Sequence, residues 1–312
     1  MHDPLIELAT VTPVPLHPAV VAARAPLDRV VVDLLTIPDD ALDRPWPWRP
    51  DDVGEIERRY GLYRIYEGFE AAVGAIEVGR SMTPSEPIRP AVPPLAAMMT
   101  SRWELRGLLA PLEAAAWDAD PGGGEWTIRQ AVGHIIGSQR SYGWYNAWYL
   151  HAGVREGEAV YPDEGFMPPE PSEEDEAAGT PAEVLARFDE VVDANAVASA
   201  GLPDPAMSIR ARWYGLPVTV DVRLGRYASH IREHTVQIDK TLALLDRRPT
   251  ETERLVRLIL DTYGRLEAAL VGRSASELDR PLGGGRSAAS ILTTAVDDAV
   301  GAASHVRGAV AG

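Results

Sequence analysis

Apolar residues recur at three- and four-residue intervals through four long stretches of the chain, the pattern of one-sided helices. These stretches are LAAMMTSRWELRGLLAPLEAAAW (95–117), WTIRQAVGHIIGSQRSYGWYNAWYL (126–150), PAEVLARFDEVVDANAVA (181–198) and DVRLGRYASHIREHTVQIDKTLALLD (221–246). Together they have the content of a four-helix bundle. Pro111 predicts a kink in the first run. Thr127 and Gln130 have capping-box spacing at the head of the second, Pro181 suits the first turn of the third, and Asp221 is placed to cap the fourth. The short RARWYGLPVTV (210–220) predicts extended chain.

Between the runs, composition changes. SMTPSEPIRPAVPP (81–94) carries five prolines and predicts a stiff, extended connector. YPDEGFMPPEPSEEDEAAG (161–179) is acidic and proline-rich, which predicts a solvated loop or lid. In DRRPTETE (246–253), Thr250 and Glu253 form a second capping box that opens another helix. The flanks resemble partial copies of the bundle's first half: ALDRPWPW (41–48) and ELDRPLGGG (277–285) share Leu-Asp-Arg-Pro, and WDADPGGGEW (117–126) holds the equivalent place. The expected organisation is an all-α protein with a leader (1–26), an N-terminal helical hairpin (27–80), the Pro-rich linker (81–94), the bundle (95–248) and a C-terminal hairpin (249–312). The two hairpins are expected to pair into a second bundle.

Charge and composition narrow the function classes. The net charge of −16 argues against nucleic acid or an anionic membrane as partner. With no cysteine there is no disulfide, thiolate ligand or cysteine nucleophile, and Lys240 is the only lysine available for amine chemistry. MHDPLIELATVTPVP lacks a basic segment followed by an apolar core, so a cytoplasmic protein is expected.

Candidate chemistry lies in YASHIREHTVQID (227–239), where His230 and His234 stand four apart. Residues so spaced project from one helix face, which suits two imidazole ligands on one cation. The face continues through Tyr227, Ile231, Ile238 and Leu242, so it points inward. His134, on a face with Ile128, Ala131 and Ile135, also points inward. Three neutral imidazoles form an open site for a divalent metal: zinc, nickel or iron(II). Two partly buried, hydrogen-bonded histidines are the plain alternative for the pair. Glu233 makes His-x-x-Glu-His, a zinc-peptidase spelling, but that motif needs a distant carboxylate ligand on a separate helix. The remaining candidates for chemistry are Glu233 as a base, Tyr142 facing the metal cavity, and Arg212 at a pocket rim with Trp213 and Tyr214, where it would receive a carboxylate. Aligning the glycine runs puts Ala295 opposite His134, and aligning Pro121 with Pro45 puts Arg58 there, so the flanking bundle is expected to be metal-free.

GEWTIRQAVGHIIGSQ followed, after an acidic loop, by YASHIREHTVQIDKTL resembles the DinB-like superfamily of metal-binding four-helix bundles. The pattern falls on Trp126, Thr127, His134, His230, His234 and Gln237, over roughly residues 95–248. The resemblance implies His134, His230 and His234 as metal ligands. It also implies kinship with thiol-dependent S-transferases and mycothiol-dependent maleylpyruvate isomerases, hence a mycothiol- or bacillithiol-type cofactor acting on a small-molecule substrate. A metal-dependent hydrolase and a non-catalytic metal- or ligand-binding bundle are the competing readings, and a homodimer is a candidate assembly.

Overall fold

The computed structural model describes residues 12–49, 54–83, 87–153, 157–162 and 170–308. Along the chain come α1 (Pro18–Leu35), a 3-10 turn (Asp39–Ala41), the antiparallel pair β1 (Pro45–Arg49) and β2 (Gly54–Glu57), α2 (Arg59–Ser81), α3 (Val92–Leu109) and α4 (Ala114–Asp118). There follow α5 (Ile128–Ala152), α6 (Glu173–Ala177), α7 (Pro181–Ser199), α8 (Asp204–Met207), the hairpin β3 (Arg210–Trp213) and β4 (Leu216–Thr219), and α9 (Val220–Leu244). The chain ends with α10 (Glu251–Ala268), α11 (Ala275–Asp279) and α12 (Ala288–Gly308). The protein is all-α apart from these two small strand pairs. No helix among the described residues is long and apolar enough to cross a membrane.

Two compact units divide the chain. The first holds Pro87–Arg102 and Leu112–Arg247, with the described residues before Leu16; the second holds the described residues of Leu16–Glu86, Trp103–Pro111 and Arg248–Gly312. In the first unit α5 is the central helix, packed against α4, α6, α7 and α9. The fully buried Arg102 of α3 bonds Asp189 (2.9 Å) and Asp193 (2.7 Å), both on α7. Gly143 lets α5 and α7 close up, since a Cβ there would collide with the Asn195 side chain.

The second unit brings together both flanking hairpins. Helix α12 packs on α1 and α2, and α10 packs on the same two. The core runs through Leu27, Leu34, Phe69, Ile76, Tyr263 and Leu292, all 0% exposed. Trp103 joins it, its ring 4.8 Å from that of Tyr263 and its Nε1 donating to the buried Glu267 (3.0 Å).

Several local expectations need correction. Helix α1 begins at Pro18, inside the stretch read as leader: His17 is its N-cap, its Nδ1 accepting from Ala19 N, and Pro18 fits the first turn. Pro111 does not kink a helix; α3 stops at Leu109 and Pro111 lies in the break before α4. The proline connector ends within a helix, since Pro93 and Pro94 sit in the first turn of α3, where the missing N–H costs nothing. Asp221 is not the cap of α9. Thr219 holds that position without a capping bond to the helix backbone, its Oγ1 donating instead to Asp221, and Asp221 lies two residues further on, where it accepts from Val222 N (2.7 Å). The acidic stretch is not all solvated loop. Ser172 and Asp175 make a capping box that starts α6, and Glu176 is buried at 1% exposure. Residues 163–169 of that stretch lie outside the described residues, as does His2.

Candidate metal centre

Helix α5 carries His134, and its start is fixed by the expected capping box: Thr127 Oγ1 accepts from Gln130 N, and Gln130 Oε1 accepts from Thr127 N at 2.9 Å. Helix α9 carries His230 and His234 one turn apart. Where α5 and α9 pack, nitrogen atoms of the three rings lie within 4.8 Å of one another. His230 Nε2 and His234 Nε2 are 3.1 Å apart. Ring centroids of His134 stand 5.1 Å from His230 and 4.7 Å from His234. Such a group can hold a metal ion.

Two of the rings are oriented by hydrogen-bond partners. His134 Nδ1 meets Glu173 Oε1 at 2.7 Å, and His234 Nδ1 meets Gln237 Oε1 at 2.6 Å. An acceptor at Nδ1 fixes the proton there and leaves Nε2 with its lone pair, the arrangement metal-binding histidines adopt. His230 Nδ1 has no such partner among the described residues. Trp126 closes one side, its ring parallel to His234 at 6.0 Å and 5.0 Å from His134. Burial, then the neighbouring His234 and His134, hold the His230 imidazole down at about 3. Burial also lowers His234. Both are therefore neutral imidazoles at neutral pH.

Glu173 reaches His134 because α6 presses on α5. Gly133 permits this: a Cβ there would meet Glu173 O at 2.5 Å and the Ala177 Cβ at 2.8 Å. Arginines hold α6 in place. Arg140 Nε donates to the buried Glu176 carboxylate (2.6 Å), and Arg187 donates to Glu176 O (2.8 Å). Arg129 bonds Asp118 (2.5 Å) and donates to Ala177 O (2.8 Å) and Gly179 O (2.9 Å). The sequence reasoning missed Glu173, although Ser172-x-x-Asp175 signalled a helix start within the acidic run.

The other candidates fall in different places. Tyr142, two turns beyond His134, borders the cluster, with its ring 5.3 Å from that of His230. Burial pushes its phenol up to about 12, against the pull of Arg226. Glu233 is poorly suited to act as a base. Arg226 grips both its oxygens at 2.7 and 2.8 Å, which holds the carboxyl below its usual range. Arg212 lines a cleft together with Trp213 and Tyr214, at the expected rim, with its nitrogens already bonded within the chain. Its Nε donates to Ala159 O (2.7 Å), its Nη1 to Gly215 O (2.8 Å), and its Nη2 pairs with Glu158 (3.1 Å). Of the other described histidines, His17 caps α1, His151 is exposed at the end of α5, and His305 is exposed with its ring 5.4 Å from Trp46.

Beyond the histidines lies a cleft of about 230 Å³ between α5, α9 and the β3–β4 hairpin, walled by Tyr142, Tyr145, Tyr161, Trp213 and Tyr214. Arg223 lines its floor and also escaped the sequence reading. It lies on α9 two turns before His230, so the inward spacing 223, 227, 230, 234 was a usable signal.

Residues 98–238 match the family model of the DinB superfamily. No curated protein and no solved structure matches the chain.

Proposed function

We propose, on the premise that residues 98–238 form a DinB-superfamily domain, that His134, His230 and His234 bind one divalent metal, and that the domain is an enzyme. It would act on a small-molecule substrate together with a low-molecular-weight thiol of mycothiol or bacillithiol type, as an S-transferase or isomerase. The observation that carries the metal reading is the convergence of three imidazoles from two helices, with nitrogens inside 4.8 Å.

The donor set fits zinc, nickel or iron(II). Neutral nitrogen donors suit these ions, and two of the three rings already have their tautomer fixed by Glu173 and Gln237. When bound, the metal supplies Lewis acidity that lowers the pKa of a coordinated thiol or water. With no cysteine in this sequence, a thiol has to come from a second molecule. The remaining work belongs to the chain. Glu173 and Gln237 keep two rings in register, Trp126 covers the cluster on one side, and Tyr142 stands between it and the cleft. A hydrolase with Glu233 as general base has less support, because Arg226 occupies that carboxylate.

The test is turnover of an electrophile by metal-reconstituted protein in the presence of mycothiol or bacillithiol. Activity should need both metal and thiol and should vanish in His134→Ala. Unchanged turnover in that variant, or turnover without thiol, would contradict the proposal.

A further inference from the structure

Arg223 is an unusual floor for a cleft. Its side chain is 3% exposed, yet among the described residues no carboxylate pairs with it. Nε donates to Asn146 Oδ1 (2.7 Å) and Nη1 to Arg212 O (2.7 Å), both neutral acceptors. Around the guanidinium stand aromatic faces: Tyr145 at 5.4 Å, Tyr149 at 5.3 Å and Trp213 at 5.4 Å. The charge is expensive to keep there. Burial works against the cation, and the ionisable groups among the described residues that favour it are weakly acidic tyrosines. A buried cation that no carboxylate among the described residues neutralises, and that lines an open cleft, is a seat for an anion brought by a ligand.

The walls define the rest of that ligand. Tyr145, Trp213 and Tyr214 present ring surface, which favours a planar apolar body. At about 230 Å³ the cleft is smaller than the ~300–1,000 Å³ of sites for drug-sized molecules, so it suits a small metabolite. A single free guanidinium edge favours one carboxylate over a phosphate dianion, since the second arginine, Arg212, is consumed in pinning the hairpin. The rim is held at a backbone cost. Tyr214 sits at the hairpin tip with φ 44° beside Gly215 at φ 80°, a two-residue turn in which Asn or Gly is favoured at the first position. Its side chain is 85% exposed, so packing does not explain a tyrosine there.

We infer that the cleft floored by Arg223 and rimmed by Trp213 and Tyr214 binds a small planar monocarboxylate, the carboxylate on Arg223 and the body between the aromatic walls. Tyr142 lines the cleft and borders His230, so such a ligand lies next to the histidine cluster. A monocarboxylate seated there is the substrate class of the proposed enzyme, and its catalytic meaning rests on that reading; the binding itself does not need the metal.

Benzoate, benzamide and inorganic phosphate serve as probes in calorimetric titration of the full chain, before and after chelation and zinc reconstitution, with metal content measured alongside. Benzoate should bind with or without zinc, and benzamide about tenfold or more weakly, because the neutral amide leaves the buried cation unpaired. Arg223→Gln should remove the preference for benzoate. Tyr214→Asn relieves the turn and should weaken benzoate without loss of thermal stability, a result that holds the inference to account even if Arg223→Gln does not fold. Equal binding of benzamide, competition by phosphate, no benzoate binding to zinc-loaded protein, or benzoate binding lost in His134→Ala but kept in Arg223→Gln would each overturn it. Wild type that takes up no zinc on reconstitution yet still binds benzoate through Arg223 would uphold the carboxylate seat while removing the metal reading.

Discussion

The two units share a plan, long helices joined through a short one, and fill their interiors in opposite ways. In the first unit Gln139, Asn146, Asn195, Arg223 and His230 are all buried. Four of them are linked through Tyr227: Asn195 Nδ2 donates to Gln139 O (2.9 Å), Gln139 Nε2 to Tyr227 O (3.0 Å), Asn146 Nδ2 to Tyr227 Oη (2.9 Å), and Arg223 Nε to Asn146 Oδ1 (2.7 Å). In the second unit one apolar cluster extends from Val20 to Val306, and Ala295, which the glycine alignment sets opposite His134, is 9% exposed within it. Its buried acid, Glu267, is held by Arg24 (2.7 Å) and Trp103 Nε1 (3.0 Å). Apolar periodicity alone suffices for a bundle of this kind. Buried polar groups cost free energy unless each is bonded, so their concentration in one unit sets its interior apart from the other.

That contrast can be broken first at its apolar side. Phe69→Ala removes a fully buried ring, 5.5 Å from Tyr263, and should cost about 3–5 kcal/mol in chemical denaturation. A loss below about 1 kcal/mol would show a loosely filled interior. On the polar side, Glu173→Ala takes away the acceptor on His134 from a half-exposed position. Metal affinity, read by competition with a chelator, should fall about 10–100-fold while the circular dichroism spectrum stays the same. Unchanged affinity would mean that Glu173 does not orient the ring.

The units should respond alike where their chemistry is alike. Thr127 heads α5 and Thr250 heads α10 with the same reciprocal capping box. Thr127→Ala and Thr250→Ala should each lower stability by about 0.5–2 kcal/mol, measured as a shift in the urea midpoint. The smallest expected effect is acid-dependent. Its hydrogen bond to Arg129, and then the charge of Arg129, lower Asp118 against the opposing effect of burial. Its contribution is complete above the unfolded carboxyl value, about 3.9, and is lost as pH falls through the lower folded value. Asp118 is exposed, so Asp118→Asn should cost under about 1 kcal/mol at neutral pH, a difference that fades in strong acid.

Legibility followed physical range. Helix starts were readable at Thr127–Gln130 and Thr250–Glu253, where a short-range rule governs and the flanking pattern is helical. The facing histidines were readable because a helix face repeats every three to four residues. What escaped depends on partners far along the chain. Glu173 sits in an acidic run whose composition masked a capped helix. Arg223 drew no notice because a lone arginine on a helix says nothing about burial. Arg212 was assigned a ligand because the sequence does not show that Ala159 and Gly215 carbonyls claim it. Asp221 suits a cap by residue type, but so does Thr219, and the β4 register puts Thr219 at that position.

The central claim is that one metal joins α5 to α9 in the first unit. Elemental analysis of protein purified under native conditions, wild type against His134→Ala and His230→Ala, tests it most directly. The account predicts about one divalent metal per chain in wild type and a near-complete loss in both variants, since each supplies one of three ligands. Metal absent from wild type after reconstitution with zinc, nickel and iron(II), or retained in either variant, would contradict it.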